Sequence, residues 1–312
     1  METEKQMITK YLKGQQINEE LIAEVLAFRD EYELDEVVET LVNQPEVLFY
    51  GKEILEMAVA ALLHGENILL SGAKATGKNV LCETLAWLFR RPSYNVSFHV
   101  TTDSASLIGT DTFRNNEVQL RKGPIYECAQ YGGFGILDEI NMAKNDAVSV
   151  LHATLDYRRS IDVPGYSRIL LHPATRFSGP MNYGYAGTIE LNEALISRFM
   201  VIDMPPLDTE TLHFLLREYF PDAKETAIEQ FAGLFQDLQT KASNGEISTK
   251  SLDFRGLVGA VKTMRSGLSP LQAIQMGIVN KSFDIFEKEI IEDAVLTRIP
   301  ENWTNKDIFE EG

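Results

Sequence analysis

The chain has 312 residues, of which 44% are hydrophobic and 24% are charged. This is enough to bury one large core, or a core and a smaller second domain, and it disfavours disorder or coiled coil as an overall description. The formal net charge of −17 disfavours a broad surface for phosphate backbones or anionic lipid. Residues 1–50 carry net −8, residues 51–206 carry −2 and residues 207–312 carry −7. A nearly neutral middle segment therefore lies between two acidic flanks.

The cysteines and the apolar runs indicate the cellular setting. Cys82 and Cys128 both lie in apolar, helix-like segments, where buried reduced thiols are favoured over a disulfide or a zinc site. No apolar run reaches the ~18 residues that span a bilayer, and the first residues lack the basic and apolar regions of a signal peptide. We therefore expect a cytoplasmic protein without membrane insertion.

The pattern of apolar residues predicts the elements in chain order. Helical spacing before Pro45 predicts an N-terminal helical appendage over 1–47. The following segment, 48–205, alternates between strand-like and helix-like patterns. Its predicted strands are 67–72, 94–100, 134–137, 176–182 and 200–204, and its predicted helices are 53–63, 78–89, 125–131, 147–157 and 190–198. Strands separated by helices predict an α/β domain with a five-stranded parallel sheet flanked by helices.

Two insertions and a C-terminal helical region complete this organisation. Residues 109–123 and 160–172 each alternate about a polar or Pro-Gly centre, which predicts β-hairpins inserted into the α/β core. After the diproline at 205–206, the pattern is purely helical. We therefore expect a hinge there, an all-α lid domain over 206–282 and an acidic tail over 283–312.

The loop after the first predicted strand has the spacing GxxxxGK over residues 72–78. Glycines in such a loop let backbone N–H groups converge on phosphates, and the helix N-terminus adds positive potential. Lys78 would place a charge on the β- and γ-phosphates, whereas Asn79 stands where a Ser or Thr usually ligates Mg²⁺. The alternative is an ordinary glycine-rich turn. The predicted phosphate-binding residues are Gly72, Ala73, Lys74, Ala75, Thr76, Gly77, Lys78, Asn79 and Val80.

Two adjacent acids follow the buried strand 134–137. Asp138 and Glu139 lie about 60 residues after Lys78, and acids at the carboxyl end of a parallel strand share an edge with the phosphate loop. We predict that Asp138, with Asn79, binds Mg²⁺ and that Glu139 polarises the attacking water. The alternative is a strand whose acids merely begin a loop.

Together these residues resemble the AAA+ ATPases, in particular the MoxR-like and dynein-related branch that includes subunits of magnesium and cobalt chelatases. The resemblance covers about 48–267. GILDEIN at 135–141 is similar to the second acidic motif of that branch, and Asn182 is similar to its polar sensor. Arg198 resembles the arginine finger that reaches the γ-phosphate of a neighbouring subunit, and Arg255 resembles the sensor arginine of the lid. The two hairpins match the helix-2 insert and the pre-sensor hairpin.

The resemblance implies a P-loop NTPase that uses ATP and Mg²⁺ in a homo-oligomeric ring, hexameric in relatives. Glu139, Asn182 and Arg198 would be catalytic, and Arg255 would bind nucleotide. Such a ring would remodel, assemble or activate a client protein or metalloenzyme complex, in a chaperone-like manner. Relatives often act with a partner that carries a von Willebrand factor A domain, so we expect such a partner.

Two alternatives remain open. Because of Asn79, the chain could instead be a nucleotide-gated scaffold with weak hydrolysis. It could also be a McrB-like NTPase directed at nucleic acid, since that group shares the acidic motif and the middle segment is rich in bases. Overall charge disfavours nucleic acid, and we favour ion pairing or an acidic client as the role of these bases. They are Arg90, Arg91, Arg114, Arg121, Lys122, Arg158, Arg159, Arg168 and Arg176.

Overall fold

The computed structural model describes residues 2–114, 116–163, 165–182 and 190–310. The chain divides into two compact units. The first comprises Met1–Ala73 and Gly77–Met204, and the second comprises Lys74–Thr76 and Pro205–Gly312. The division at Pro205 falls at the diproline that the sequence marks as a domain boundary.

The first unit is built on a five-stranded sheet with the order β2-β5-β8-β1-β9, in which all neighbouring pairs are parallel. Antiparallel pairs β3–β4 and β6–β7 form the two expected hairpins, and residues 115 and 164 within them lie outside the described residues. The predicted α/β class with hairpin inserts is therefore confirmed. The strands are β1 Ile68–Gly72, β2 Ser93–Ser97, β3 Gly109–Arg114, β4 Glu117–Lys122, β5 Phe134–Asp138, β6 Ser160–Ile161, β7 Ile169–Leu170, β8 Arg176–Asn182 and β9 Met200–Met204.

The interior strand β1 shows why the sheet is covered on both faces. All five of its residues are buried, as expected where helices pack on both sides of a parallel sheet. Ile68 and Leu70 belong to one apolar cluster, whereas Leu69 belongs to another. Because successive side chains of a strand point to opposite faces, β1 separates two hydrophobic layers.

Helices and short turns surround the sheet. The helix expected over 147–157 is broken into short pieces, and the one expected over 190–198 is shortened. The chain leaves helical geometry at Asp156, whose backbone is extended and whose carboxylate accepts the Arg158 N–H; such a local bond competes with helix continuation. The helices of this unit are α1 Glu2–Gly14, α2 Glu19–Glu31, α3 Lys52–Leu63, α4 Lys78–Leu88, α5 Ser104–Ile108, α6 Pro124–Tyr131, α7 Asn145–Val148, α8 His152–Leu155 and α9 Glu193–Ile196, with 3₁₀ turns at Glu39–Leu41, Ile140–Met142 and Ser149–Leu151.

The N-terminal helices α1 and α2 are part of this unit. Ile8, Leu12 and Phe28 are buried in the same cluster as Leu55 of α3 and Trp87 of α4. Burial of large apolar side chains of this kind contributes about 2 kcal/mol each. The segment expected as an appendage therefore shares the core of the α/β unit.

The second unit is helical, as expected for the region after the diproline. Ser269 caps α13 through the Gln272 N–H, with Pro270 as its first residue. The last segment differs from the expected acidic tail, because Ile291, Ala294 and Val295 of α14 are buried in the core of this unit. The helices are α10 Thr209–Tyr219, α11 Glu225–Ser243, α12 Phe254–Met264, α13 Pro270–Gly277, α14 Ile285–Arg298 and α15 Asn305–Ile308, with a 3₁₀ turn at Val279–Lys281.

The described helices and the two cysteines bear on membrane insertion and on thiol chemistry. Of the helices in the described ranges, none combines the length and the apolar character needed to cross a membrane. Cys82 and Cys128 are buried free thiols, and burial raises the pKa of the Cys82 thiol to about 12. Neither cysteine is therefore a thiolate at neutral pH.

Candidate functional site

The loop between β1 and α4 is a tight turn that depends on glycine. At Gly72 a Cβ atom would lie 2.5 Å from the Met204 carbonyl oxygen, so only glycine fits beside β9. Gly77 has a left-handed φ of 85° immediately before α4, and Ala75 has a φ of 61°. Positive φ angles favour glycine and reverse the chain sharply. The turn brings the loop amides to the N-terminus of α4, which is the arrangement that binds anions.

Lys78, the first residue of α4, is turned back onto this loop. Its side chain is buried, and its ammonium group donates to the carbonyl oxygens of Gly72 at 2.9 Å and Ala73 at 2.5 Å. Burial lowers the pKa of Lys78 to about 8, although the nearby Asp138 carboxylate opposes this effect. A phosphate in the loop would add negative charge beside this buried ammonium and favour its charged form.

The two acids lie at the carboxyl edge of the same sheet. Asp138 ends β5, paired with Ser97 of β2, and its side chain is half-buried. Glu139 has a left-handed φ of 55°, and its N–H donates to the Pro180 carbonyl oxygen at 3.1 Å. Left-handed geometry in a non-glycine residue is sparsely populated and occurs often at functional sites. Here it leaves the Glu139 side chain exposed.

Asn79 connects the phosphate loop to the acidic pair. Its side-chain nitrogen lies 3.4 Å from Oδ2 of Asp138 and donates to it. The predicted metal ligands are thus adjacent, with a hydrogen bond in place of the hydroxyl contact that Ser or Thr would offer. Among the described residues, no cluster of three or more His, Cys, Asp or Glu side chains is placed to hold a metal. A cation with one carboxylate and phosphate oxygens as ligands is the type that suits Mg²⁺.

Asn182 lies beside the loop because the strand register puts it there. It ends β8 and pairs with Gly72 of β1, and neighbouring strands are separated by about 4.8 Å. The buried Asn141 donates from its side-chain nitrogen to the Asn182 carbonyl oxygen at 2.9 Å. Asn141 belongs to the GILDEIN motif but is not among the site residues that the sequence predicts, and only the fold shows that it fixes the end of β8.

Arg198 is at the opposite end of the sheet. Met200 pairs with Ile68 at the start of β1, whereas Met204 pairs with Gly72 at its end. The Asn67 side-chain nitrogen also contacts the Arg198 carbonyl oxygen at 3.5 Å. β9 spans four residue steps, from Met200 to Met204, which corresponds to about 13 Å, and Arg198 lies two residues before its start. Arg198 is therefore far from the loop of its own chain.

Arg255 lies in the second unit. It is an exposed residue in the first turn of α12. The preceding Asp253 caps this helix through the Gly256 N–H at 3.1 Å and forms an ion pair with Lys281. The contact of Arg255 with nucleotide stays a prediction.

Several bases of the middle segment have internal roles. The buried Arg91 and Arg176 each donate to three backbone carbonyl groups, and Arg159 donates to the Thr175 carbonyl oxygen at 2.9 Å. Arg168 pairs with Asp162 at 2.5 Å. The side chain of Arg114 is outside the described part of the structure. These contacts reduce the cationic surface that could bind nucleic acid.

Comparisons with known proteins agree with this geometry. Residues 67–199 match the model of the AAA domain of the dynein-related subfamily. The chain is 34% identical to the protein YojN of Bacillus subtilis over 250 residues, which is 78% of this chain and 82% of YojN. It is 31% identical to a protein of Staphylococcus epidermidis over 257 residues, with 80% and 95% covered. A protein of Staphylococcus aureus is 33% identical over 237 residues, with 74% and 89% covered.

The matched range includes the phosphate loop, both acids, Asn182 and Arg198, which are the residues that the fold places at the sheet edges. The resemblance to AAA+ ATPases is confirmed at this level. The chain belongs to the same family as YojN, and residues 67–199 of its α/β unit are similar to the AAA domain of the dynein-related subfamily.

Proposed function

We propose that this protein is a MoxR-like AAA+ ATPase, which hydrolyses ATP in a ring and uses the energy to remodel, assemble or activate a client protein or metalloenzyme complex. One observation carries the proposal. Lys78, Asp138, Glu139 and Asn182 meet at one edge of the sheet, whereas Arg198 lies at the opposite end. This arrangement suits a nucleotide site that one subunit builds and its neighbour completes.

The phosphate loop would bind the triphosphate. Loop amides and the N-terminus of α4 would hold the β- and γ-phosphates, and the Lys78 ammonium would move from the loop carbonyl groups to phosphate oxygens. A Cβ atom at Gly72 would clash with Met204. Gly72 therefore contributes only backbone atoms to the phosphate-binding loop. Arg255 is proposed as a further phosphate ligand by resemblance.

The acids would divide metal binding and proton transfer. Mg²⁺, when bound, supplies positive charge that offsets the phosphate oxygens. Asp138 and the side-chain oxygen of Asn79 would hold it, because they are hard oxygen ligands adjacent to the loop. The exposed Glu139 carboxylate would accept the proton of a water whose oxygen attacks the γ-phosphorus as the bond to the β–γ bridging oxygen breaks. Asn182, fixed by Asn141, would orient this water.

Arg198 would act on the nucleotide of a neighbouring subunit. Phosphoryl transfer spreads negative charge over the equatorial oxygens, and a guanidinium group offers a planar set of donors for them. Since the length of β9, about 13 Å, lies between Arg198 and the end of the sheet that carries its own loop, Arg198 would serve another copy. Hydrolysis would then depend on assembly. The client and a partner with a von Willebrand factor A domain are proposed from resemblance.

The test is ATPase activity as a function of protein concentration. Wild-type specific activity should rise with concentration as rings form. Glu139→Gln should bind ATP and lose roughly 100-fold or more in rate, because the proton acceptor is absent. Arg198→Ala should bind ATP and lose roughly 1,000-fold in rate at all concentrations, and Lys78→Ala should lose binding.

A matched control is Arg298→Ala. Arg298 forms an ion pair with Asp237 at 2.7 Å in the second unit, and its removal should leave the ATPase rate unchanged. If Glu139→Gln hydrolyses ATP like wild type, the catalytic assignment is wrong. If Arg198→Ala retains the wild-type rate in assembled rings, the role in the neighbouring site is wrong.

A second candidate, a nucleotide-gated scaffold with weak hydrolysis, is favoured by the contact between Asn79 and Asp138. The Asn79 side chain directs its nitrogen, a donor, toward the acid that would hold the metal. Asn79→Thr restores a hydroxyl at this position and discriminates between the two functions. A large rise in turnover would support the scaffold, whereas an unchanged or lower rate would show that Asn79 is adapted to catalysis. Binding of ATP, measured in parallel, is the control.

A further inference from the structure

Arg198 is held within its own chain by acceptors from two different segments. Its Nε donates to the His152 carbonyl oxygen at 3.2 Å, and one terminal nitrogen donates to the carbonyl oxygen of Ala194. The other terminal nitrogen forms an ion pair with Oδ2 of Asp156 at 3.5 Å. Asp156 is thus the one charged partner of Arg198 among the described residues. The side chain of Asp156 is mostly buried.

Asp156 is itself rigidly placed. It follows α8, and its carboxylate accepts the Arg158 N–H and two side-chain N–H groups of Arg158, at distances between 2.7 and 3.2 Å. These contacts keep the pKa of Asp156 at about 2, so its charge persists at every pH where the protein would be assayed. A fixed carboxylate restricts the conformations of a guanidinium group that contacts it.

The contacts leave donors on Arg198 for another acceptor. A guanidinium group carries five N–H donors, and the two described hydrogen bonds use the one on Nε and one on a terminal nitrogen. The side chain remains 21% exposed. Arg198 is therefore oriented by its own chain and still accessible to a phosphate oxygen from outside.

We propose that Asp156 is a positioning residue for Arg198, which holds the guanidinium group in the orientation that serves the nucleotide bound by a second copy of this chain. This inference rests on the proposed function. Without Asp156, Arg198 would keep only carbonyl acceptors and would sample more rotamers, so fewer encounters would place it against the phosphate. A misplacement of about 1 Å at a catalytic group can cost about 100-fold in rate, so a partial loss of orientation is expected to cost about tenfold.

The experiment uses mixed rings and MgATP. Glu139→Gln subunits lack a working site of their own but offer an intact Arg198, whereas Arg198→Ala subunits offer the reverse. Mixing these two reference variants should restore activity above that of either alone. Asp156→Ala should lose about tenfold in kcat as a homo-oligomer, with ATP affinity within twofold of wild type. It should be restored by Glu139→Gln subunits and not by Arg198→Ala subunits.

Each outcome decides a separate point. If the reference pair fails to restore activity, the role of Arg198 across subunits is overturned, and this inference with it. If the reference pair succeeds but Asp156→Ala hydrolyses ATP at or above the wild-type rate, or is not restored by Glu139→Gln subunits, Asp156 does not position Arg198. The matched control is Asp237→Ala, which removes the acid of the Arg298 pair and should retain the wild-type rate. Should Asp156→Ala unfold, the isosteric Asp156→Asn is expected to show the same pattern of restoration with a smaller loss.

Discussion

Lys78 shows how burial and function are combined in a single residue. Its side chain is only 7% exposed, and desolvation of an ammonium group favours the neutral amine. The carbonyl groups of Gly72 and Ala73 offset part of this cost by accepting hydrogen bonds. A residue held in this way is prepared to exchange carbonyl oxygens for phosphate oxygens with little rearrangement.

The lowered pKa of Lys78 predicts a pH dependence of ATP binding. The pKa is about 8, so Lys78 is mainly charged at pH 7 and mainly neutral at pH 9. Only the charged form attracts phosphate, and affinity should therefore fall by about tenfold between pH 7 and pH 9. Calorimetric titration in buffers of different ionisation enthalpy should also detect proton uptake on binding near pH 8.

The control for this prediction is Lys78→Arg, whose guanidinium group stays charged over the whole range. Whatever its affinity, the variant should bind ATP with little change between pH 7 and pH 9. If wild type and Lys78→Arg lose affinity in parallel above pH 8, titration of Lys78 is not the cause.

At the scale of elements, buried arginines stabilise the C-terminal ends of helices. Arg29 donates to the carbonyl oxygens of Trp87 and Leu88 at the end of α4, and Arg176 donates to that of Leu62 at the end of α3. The last carbonyl groups of a helix lack partners within it and carry partial negative charge. A guanidinium group satisfies several of them at once, which explains why these cations are buried.

The hydrogen bonds of Arg91 predict that this residue contributes to the free energy of unfolding. It is 2% exposed and donates to the carbonyl oxygens of Tyr131 and Gly132 at the end of α6, and to that of Tyr32. Arg91→Ala would leave these buried acceptors unpaired and should lower the free energy of unfolding by about 3 kcal/mol. Urea unfolding followed by circular dichroism measures this change.

The comparison variant is Arg168→Ala, which removes an arginine that is well exposed and paired with Asp162. Its effect should be about 0.5 kcal/mol or less, as for other surface pairs. Equal losses for the two variants would contradict a capping role for Arg91.

For the whole molecule, the net charge of −17 does not prevent a phosphate site in one small region. The residues that match the AAA domain fall within the segment that carries only −2, and Lys78 among them acts at short range in a site of reduced dielectric. The acidic flanks comprise α1, α2 and the residues that follow them up to Tyr50, and the second unit. Their repulsion of polyanions weakens the case for a nucleic-acid-directed NTPase, as do the internal contacts of Arg91, Arg159 and Arg176.

The sequence by itself determined the class of fold and the chemistry of the phosphate loop. Strands β1 and β5 begin with short apolar runs, and GxxxxGK must join a strand to a helix to work. These are local features, since spacing and hydrophobic period act within a few residues of chain. The acids at 138–139 could be placed at the same edge because parallel strands end together.

Only the tertiary structure decided which distant groups meet. The contacts of Asn141 with Asn182, of Asn79 with Asp138 and of Arg198 with Asp156 join residues 41, 59 and 42 positions apart, and no local pattern encodes them. The composition of 283–312 predicts an acidic tail, whereas Ile291 and Val295 lie in the core of the second unit. A long-range contact depends on strand order and packing, which follow from the whole chain, so single segments could not reveal it.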